Sequence, residues 1–231
     1  MSTEKNSERL DSYDLFMEKF GVSKEDFYQF GMDETILPTL ELIDDQWECL
    51  KKRVRGNEVV YIRGSGRDGS NTGIFIEFYK HLFNNSNIKR DTSNNYRPQK
   101  SLEKMTKYKR NKTIFNFQVS HIFGRTKNPL LFEASWNIAF IPKIIDPFTG
   151  HETKGTSTTE FQEKFNKHFI KKYKKYIDDY NGIVDGLNIE KKVNEFLKKV
   201  TEEKTKKYTP NQVEKFKKGV LDNFKKIDVN H

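Results

Sequence analysis

A single cysteine, Cys49, leaves the chain without an internal disulfide or a cysteine-based zinc site. No apolar run nears the roughly 18 residues needed to cross a bilayer, so no membrane span is expected. The opening residues, Met1-Ser2-Thr3-Glu4-Lys5-Asn6, are polar, and no signal-peptide core is expected. A reducing cytoplasm is the expected location. Hydrophobic residues are scarce as well, at 34% against 32% charged ones. That deficit does not imply disorder, because 19 Phe, 10 Tyr and 2 Trp supply bulky core material. With 231 residues, the chain can form one large domain or two small ones.

The formal net charge of +9 is unevenly spread. Residues 1–50 hold 4 Lys/Arg and 13 Asp/Glu, a net of −9. Residues 51–127 hold 18 and 5, a net of +13, and residues 128–231 hold 20 and 15, a net of +5. A basic block of this kind suits a polyanion, most often a nucleic acid.

The spacing predicts helices at both ends. Leu10, Tyr13, Phe16, Met17 and Phe20 recur at helical intervals until Gly21 stops them. Ser23 starts a second helix, and Leu40 to Val54 form a third with Ile43, Trp47 and Leu50 on one face. In the C-terminal third, Phe161, Phe165, Phe169 and Tyr173 make one stripe, and Val193, Phe196, Leu197 and Val200 another. Thr209-Pro210-Asn211-Gln212 is a capping box with proline in the first turn. Residues 58–63 read as a buried strand, 74–83 as a helix, and 84–112 as an irregular basic segment with one short helix. The loop Gly64 to Gly73 lacks the Gly-Lys-Ser/Thr ending of a phosphate-binding loop. Arg63, Arg67 and Arg97 are instead candidates for DNA contact.

Residues 113–155 carry the chemistry. A strand of β-branched and aromatic residues ends at His121, its alternation placing Phe115, Phe117, Val119 and His121 on one face. Gly124 and Asn128-Pro129 mark a loop, a second strand runs from about Trp136 to Ile145, and Asp146 to Gly150 form a turn. His151-Glu152-Thr153-Lys154 then lead toward a long helix. This order resembles the HNH, or ββα-metal, nuclease motif, over about 45 of the 231 residues. His121-Ile122 stand for the catalytic His and its apolar neighbour, Asn137-Ile138 for the Asn pair, and His151 with Lys154 for the closing His-x-x-Lys. Ser120 stands where the family carries a metal-binding Asp or His. The interval from Asn137 to His151 is longer than the family's, so Asp146 competes with His151 for the third position.

The resemblance implies an α+β fold with a small ββα-metal core embedded in mostly helical N- and C-terminal regions. The regions are an acidic helical part (1–56), a basic strand–loop–helix part (57–112), the nuclease-like core (113–160) and C-terminal helices (161–231). It further implies a metal-dependent DNA endonuclease, with a type II restriction enzyme as the narrower expectation. His121 would act as general base and Asn137 would support it. Ser120 and Asp146 or His151 would hold Mg²⁺ or Mn²⁺. Arg125 and Lys127, in the loop, would contact phosphate. The expected substrate is double-stranded DNA and the expected assembly a homodimer, since two strands call for two sites. The alternative is a non-catalytic DNA-binding regulator of plasmid or phage origin with a degenerate motif.

Overall fold

Helices open the chain where the apolar spacing requires them. Helix α1 (Ser12–Phe20) is capped by the Asp11 side chain, which accepts from the Tyr13 N–H, and ends at Gly21 with φ +65°. That left-handed conformation suits glycine, which has no Cβ to clash. The computed structural model describes residues 10–64, 72–93, 95–150, 152–202 and 207–229. Only Met17 of the first apolar stripe is buried, while Leu10, Phe16 and Phe20 are exposed. The stripe was read as a packing face, but α1 rests on the body along a narrow seam through Tyr13 and Met17.

Helix α2 (Lys24–Asp33) starts at Ser23, whose hydroxyl accepts from the Asp26 N–H. It crosses close to the end of the core. A Cβ on Gly31 would lie 2.9 Å from both Ile145 Cγ2 and Phe161 Cε2. Gly31→Ala is therefore expected to lower stability by about 1–3 kcal/mol through overpacking, measured by urea denaturation. An unchanged midpoint would show that the crossing yields freely.

Helix α3 (Leu40–Arg55) buries Ile43, Trp47, Leu50 and Val54, the face expected from the spacing. Strand β1 (Val60–Arg63), helix α4 (Thr72–Phe83) and strand β2 (Ile88–Asp91) form a βαβ unit. The two strands are parallel, with Val60 opposite Ile88 and Arg63 opposite Asp91. Strand β2 corrects the expectation of an irregular segment after residue 84. Its two central residues, Lys89 and Arg90, are exposed, so it carries no apolar alternation to read. The buried amide of Asn85 secures the unit by donating to the carbonyls of Arg53, Val54 and Glu58.

After helix α5 (Tyr96–Thr106), strands β3 (Phe117–His121) and β4 (Ile138–Pro142) pair antiparallel, with Phe117 opposite Pro142 and His121 opposite Ile138. Both are shorter than their apolar runs. Asn116 adopts φ +60° just before β3, and Phe115 is 64% exposed instead of facing inward. Strand β4 is buried along its whole length. Ala139 and Ile141 join the main core, while Ile138 and Phe140 join Leu102 of α5 in a smaller cluster. Two-sided burial explains why the strand reads as a continuous apolar run.

Residues Asp146–Thr149, expected as a turn, close into the short helix α6. Helix α7 (Thr156–Leu187) follows and bends at Tyr173, which has φ −111° and ψ 18°. Its aromatic stripe is buried throughout, and each large side chain contributes roughly 1.5–3 kcal/mol by burial. Helices α8 (Ile189–Glu202) and α9 (Pro210–Asn223) complete the fold, the latter with the expected Thr209–Gln212 capping box. One hydrophobic cluster runs from Met17 to Ile227, so all four sequence regions contribute to the same core. The fold mixes helix and strand. Among the described residues, no helix is long and apolar enough to cross a membrane.

Candidate functional site

Strand β3 delivers His121 to the head of a loop, residues 122–137, that is tied down from within. The Ile122 N–H donates to the Asn137 carbonyl at 2.8 Å. The Asn137 side chain completes the tie: Oδ1 accepts from the Phe123 N–H at 2.8 Å, and Nδ2 donates to the carbonyls of Gly124 and Leu131. A second buried amide, Asn128, donates to the Tyr180 hydroxyl and the Asn223 carbonyl and accepts from the Leu130 N–H. Gly124 and Arg125 turn the chain with φ +63° and +55°.

His121 is only 8% exposed. Its Nε2 lies 3.0 Å from the Phe132 carbonyl, and its ring stacks on Phe132 at 5.4 Å. A carbonyl can only accept, so Nε2 carries the proton and Nδ1 holds the lone pair. Burial lowers the imidazole pKa to about 4, with the Arg63 charge adding to the fall and the Phe132 carbonyl opposing it. The ring is therefore neutral at pH 7.

This depression has a consequence for stability. Between the ordinary histidine value of 6.5 and about 4, the unfolded chain takes up a proton that the folded one refuses. The contribution is complete above pH 6.5 and is lost as pH falls through 4. Urea unfolding is expected to show wild type losing about 3 kcal/mol more than His121→Asn between pH 7 and pH 4. Parallel pH dependences would mean that His121 titrates normally.

His121 opens on a cavity of about 690 Å³ that Arg63, Ser120, Asp146, Thr149 and Glu152 also line. The Ser120 hydroxyl lies 3.4 Å from that of Thr149. Burial and the Glu152 charge raise the Asp146 carboxyl, against a hydrogen bond from Ser120. Among the described residues, no three His, Cys, Asp or Glu side chains gather as a metal cluster.

Four expected site residues thus share one cavity: Arg63, Ser120, His121 and Asp146. Asn137, read as catalytic, does not line it; its buried amide holds the loop behind His121. Arg125 reaches the cavity wall, but its guanidinium donates to the Lys225 and Lys226 carbonyls, so it anchors the C-terminal segment. Lys127 turns to another face, where its ammonium sits 4.7 Å from the Phe75 ring centroid. Arg97 lies over Tyr61, 4.1 Å from the ring centroid, and outside the cavity. His151 and Arg67 lie outside the described residues.

Sequence reasoning passed over Glu152 as a spacer of the His151–Lys154 pattern, although it adjoins the candidate His151. It also missed Ile227 and Asp228, which line the cavity from the far end of the chain. Asn181 holds that segment by donating to the Ile227 carbonyl at 2.8 Å and accepting its N–H at 2.9 Å.

Residues 38–229 match the model of a protein family described as Uncharacterised protein PM1201. The chain belongs to this family. A relative from Pasteurella multocida (strain Pm70), described as Uncharacterized protein PM1201, is 43% identical over 178 residues, which is 77% of this chain and 80% of the relative. No solved structure matches the chain. The PM1201 match takes in Arg63, the β3–β4 hairpin, Asp146 and the C-terminal segment, whereas α1 and α2 precede it.

Proposed function

We propose that the protein is a metal-dependent endonuclease that hydrolyses phosphodiester bonds of double-stranded DNA. One observation carries the reading: a neutral His121, whose Nε2 is engaged by the Phe132 carbonyl so that the lone pair falls to Nδ1, shares a cavity with Ser120, Asp146 and Arg63. The order of elements adds support. Strand β3, a pinned loop, strand β4 and the helices after it run in the order that the HNH resemblance implies, and we assign the ββα-metal core to residues 113–160.

His121 acts as the general base in this reading. Its Nδ1 takes a proton from water as the water oxygen bonds to phosphorus and the bond to the 3′ oxygen breaks. The Phe132 carbonyl holds the ring and stabilises the imidazolium, because a charged ring donates more strongly. Burial favours return of that proton to solvent. The HNH resemblance implies a divalent ion, and Asp146, Glu152 and Ser120 are the residues of this cavity that would hold it. Asp146 and Glu152 repel each other in a partly desolvated site, and with the Ser120 hydroxyl they offer hard oxygen donors suited to Mg²⁺ or Mn²⁺. Bound there, the ion supplies charge neutralisation at the phosphate and the leaving 3′ oxygen.

The narrower reading is a cytoplasmic type II restriction enzyme working as a homodimer, one site for each strand. Ser120, in the place of a metal-binding Asp or His, favours a second reading, a DNA-binding regulator without catalysis. Plasmid DNA incubated with the purified protein and Mg²⁺ or Mn²⁺ is expected to give discrete fragments, and none with His121→Ala. Salt-sensitive binding without cleavage in either metal would overturn the enzyme reading in favour of the regulator.

A further inference from the structure

Arg63 is the last residue of β1, and its side chain lines the cavity that His121 faces. Its N–H donates to the Thr126 carbonyl at 3.0 Å, which fixes the strand end to the 122–137 loop. The side chain is half-buried. The two other described arginines expected to contact nucleic acid, Arg97 and Arg125, are occupied. Arg97 donates to the Tyr61 hydroxyl at 2.6 Å, and Arg125 donates to two backbone carbonyls. Among the described residues, the Arg63 guanidinium makes no hydrogen bond or ion pair. Asp146 and Glu152 line the same cavity.

A half-buried guanidinium that meets no anion among the described residues has lost part of its hydration without a charged partner there to offset the loss. Its planar fork matches two oxygens of one phosphate, which an ammonium cannot match. The cavity then offers a cation from β1, carboxylates from α6 and the segment after it, and a neutral base from β3. A phosphodiester needs all three.

We propose that Arg63 grips the nonbridging oxygens of the phosphodiester to be cut, a contact supplied from outside the 113–160 core. The inference rests on the endonuclease reading, and its test separates the two. Wild type, Arg63→Ala and Arg63→Lys are compared by single-turnover cleavage in Mg²⁺, by duplex binding in EDTA, and by titration with dimethyl phosphate followed through amide shifts of residues 120–126. Arg63→Ala is expected to lower cleavage about 100-fold or more, the usual effect of losing a donor to developing charge. Duplex affinity, spread over many phosphates, falls far less. Arg63→Lys keeps the charge without the fork and recovers part of the rate. Added ethylguanidinium raises the rate of Arg63→Ala but not of wild type, a rescue that a merely structural residue would not show. Dimethyl phosphate shifts saturate in wild type and vanish in Arg63→Ala.

Equal cleavage in all three proteins, or phosphate binding retained by Arg63→Ala, overturns the role of Arg63. If wild type cuts no DNA, the endonuclease reading falls, and the phosphate titration still decides whether Arg63 is an anion grip. Circular dichroism checks folding, and Arg63→Lys keeps the test open should Arg63→Ala unfold.

Discussion

On the proposed endonuclease reading, His121→Ala is expected to lower the rate of DNA cleavage about 10²- to 10⁴-fold, the range that a positioned general base supplies. The expectation rests on tautomer and location together. The Phe132 carbonyl at 3.0 Å places the proton on Nε2, so the basic nitrogen is Nδ1, on a ring that opens into the cavity lined by Asp146. Truncation also removes the partner of that carbonyl, at a cost of about 1–3 kcal/mol for a buried acceptor left unmade. Loss of activity must therefore be separated from loss of fold. His121→Asn serves as the control, because an amide can donate to the carbonyl but cannot act as a base at neutral pH. Both variants are expected to be equally slow under single turnover, with His121→Asn the more stable. A rate within tenfold of wild type in either folded variant would remove His121 from the base role. The pH profile gives a second check. With the imidazole held at about 4, the wild-type rate has no acid limb near 6.5 from this group in the free enzyme.

The aromatic stripes were readable because α7 is buried along one face only, and one-sided burial imposes a helical period. The end of β3 at His121 was readable for a related reason. Val119 is buried and Ser120 and Gln118 less so, and that alternation survives in the residue types. Strand β2 was not readable, since it belongs to a two-stranded parallel pair that leaves Lys89 and Arg90 in water. The exposure of Phe16 and Phe20 was hidden as well. An apolar stripe states that a face can be buried, not that a neighbour reaches it. Within the candidate site, sequence order located His121, Ser120 and Asp146, which lie on adjoining segments. It gave no sign that Ile227 and Asp228 return from the chain end to the same cavity. Such contacts follow from the long path through α7, α8 and α9, which no local spacing encodes.

Asn137→Ala is expected to destabilise the protein by about 3–5 kcal/mol, a large share of a domain's usual 5–15 kcal/mol. The substitution leaves three groups without partners: the Phe123 N–H and the carbonyls of Gly124 and Leu131. Residue 137 itself is fully buried, so water does not readily replace the lost amide. Asn137→Asp is the sharper variant. It keeps the acceptor for Phe123 but turns a second oxygen toward two carbonyls, where no hydrogen bond can form at neutral pH. Its destabilisation is expected to match or exceed that of Asn137→Ala at pH 7 and to ease in acid, as the carboxyl gains a proton to donate. Urea denaturation measures both. Activity then separates positioning from direct action. If the amide works by pinning the loop behind His121, cleavage falls together with stability and recovers in part under conditions that stabilise the fold. A folded Asn137→Ala of wild-type stability that had lost cleavage would instead mean that the amide meets the substrate itself, and that the loop opens on binding far enough to expose a side chain the free protein keeps wholly buried.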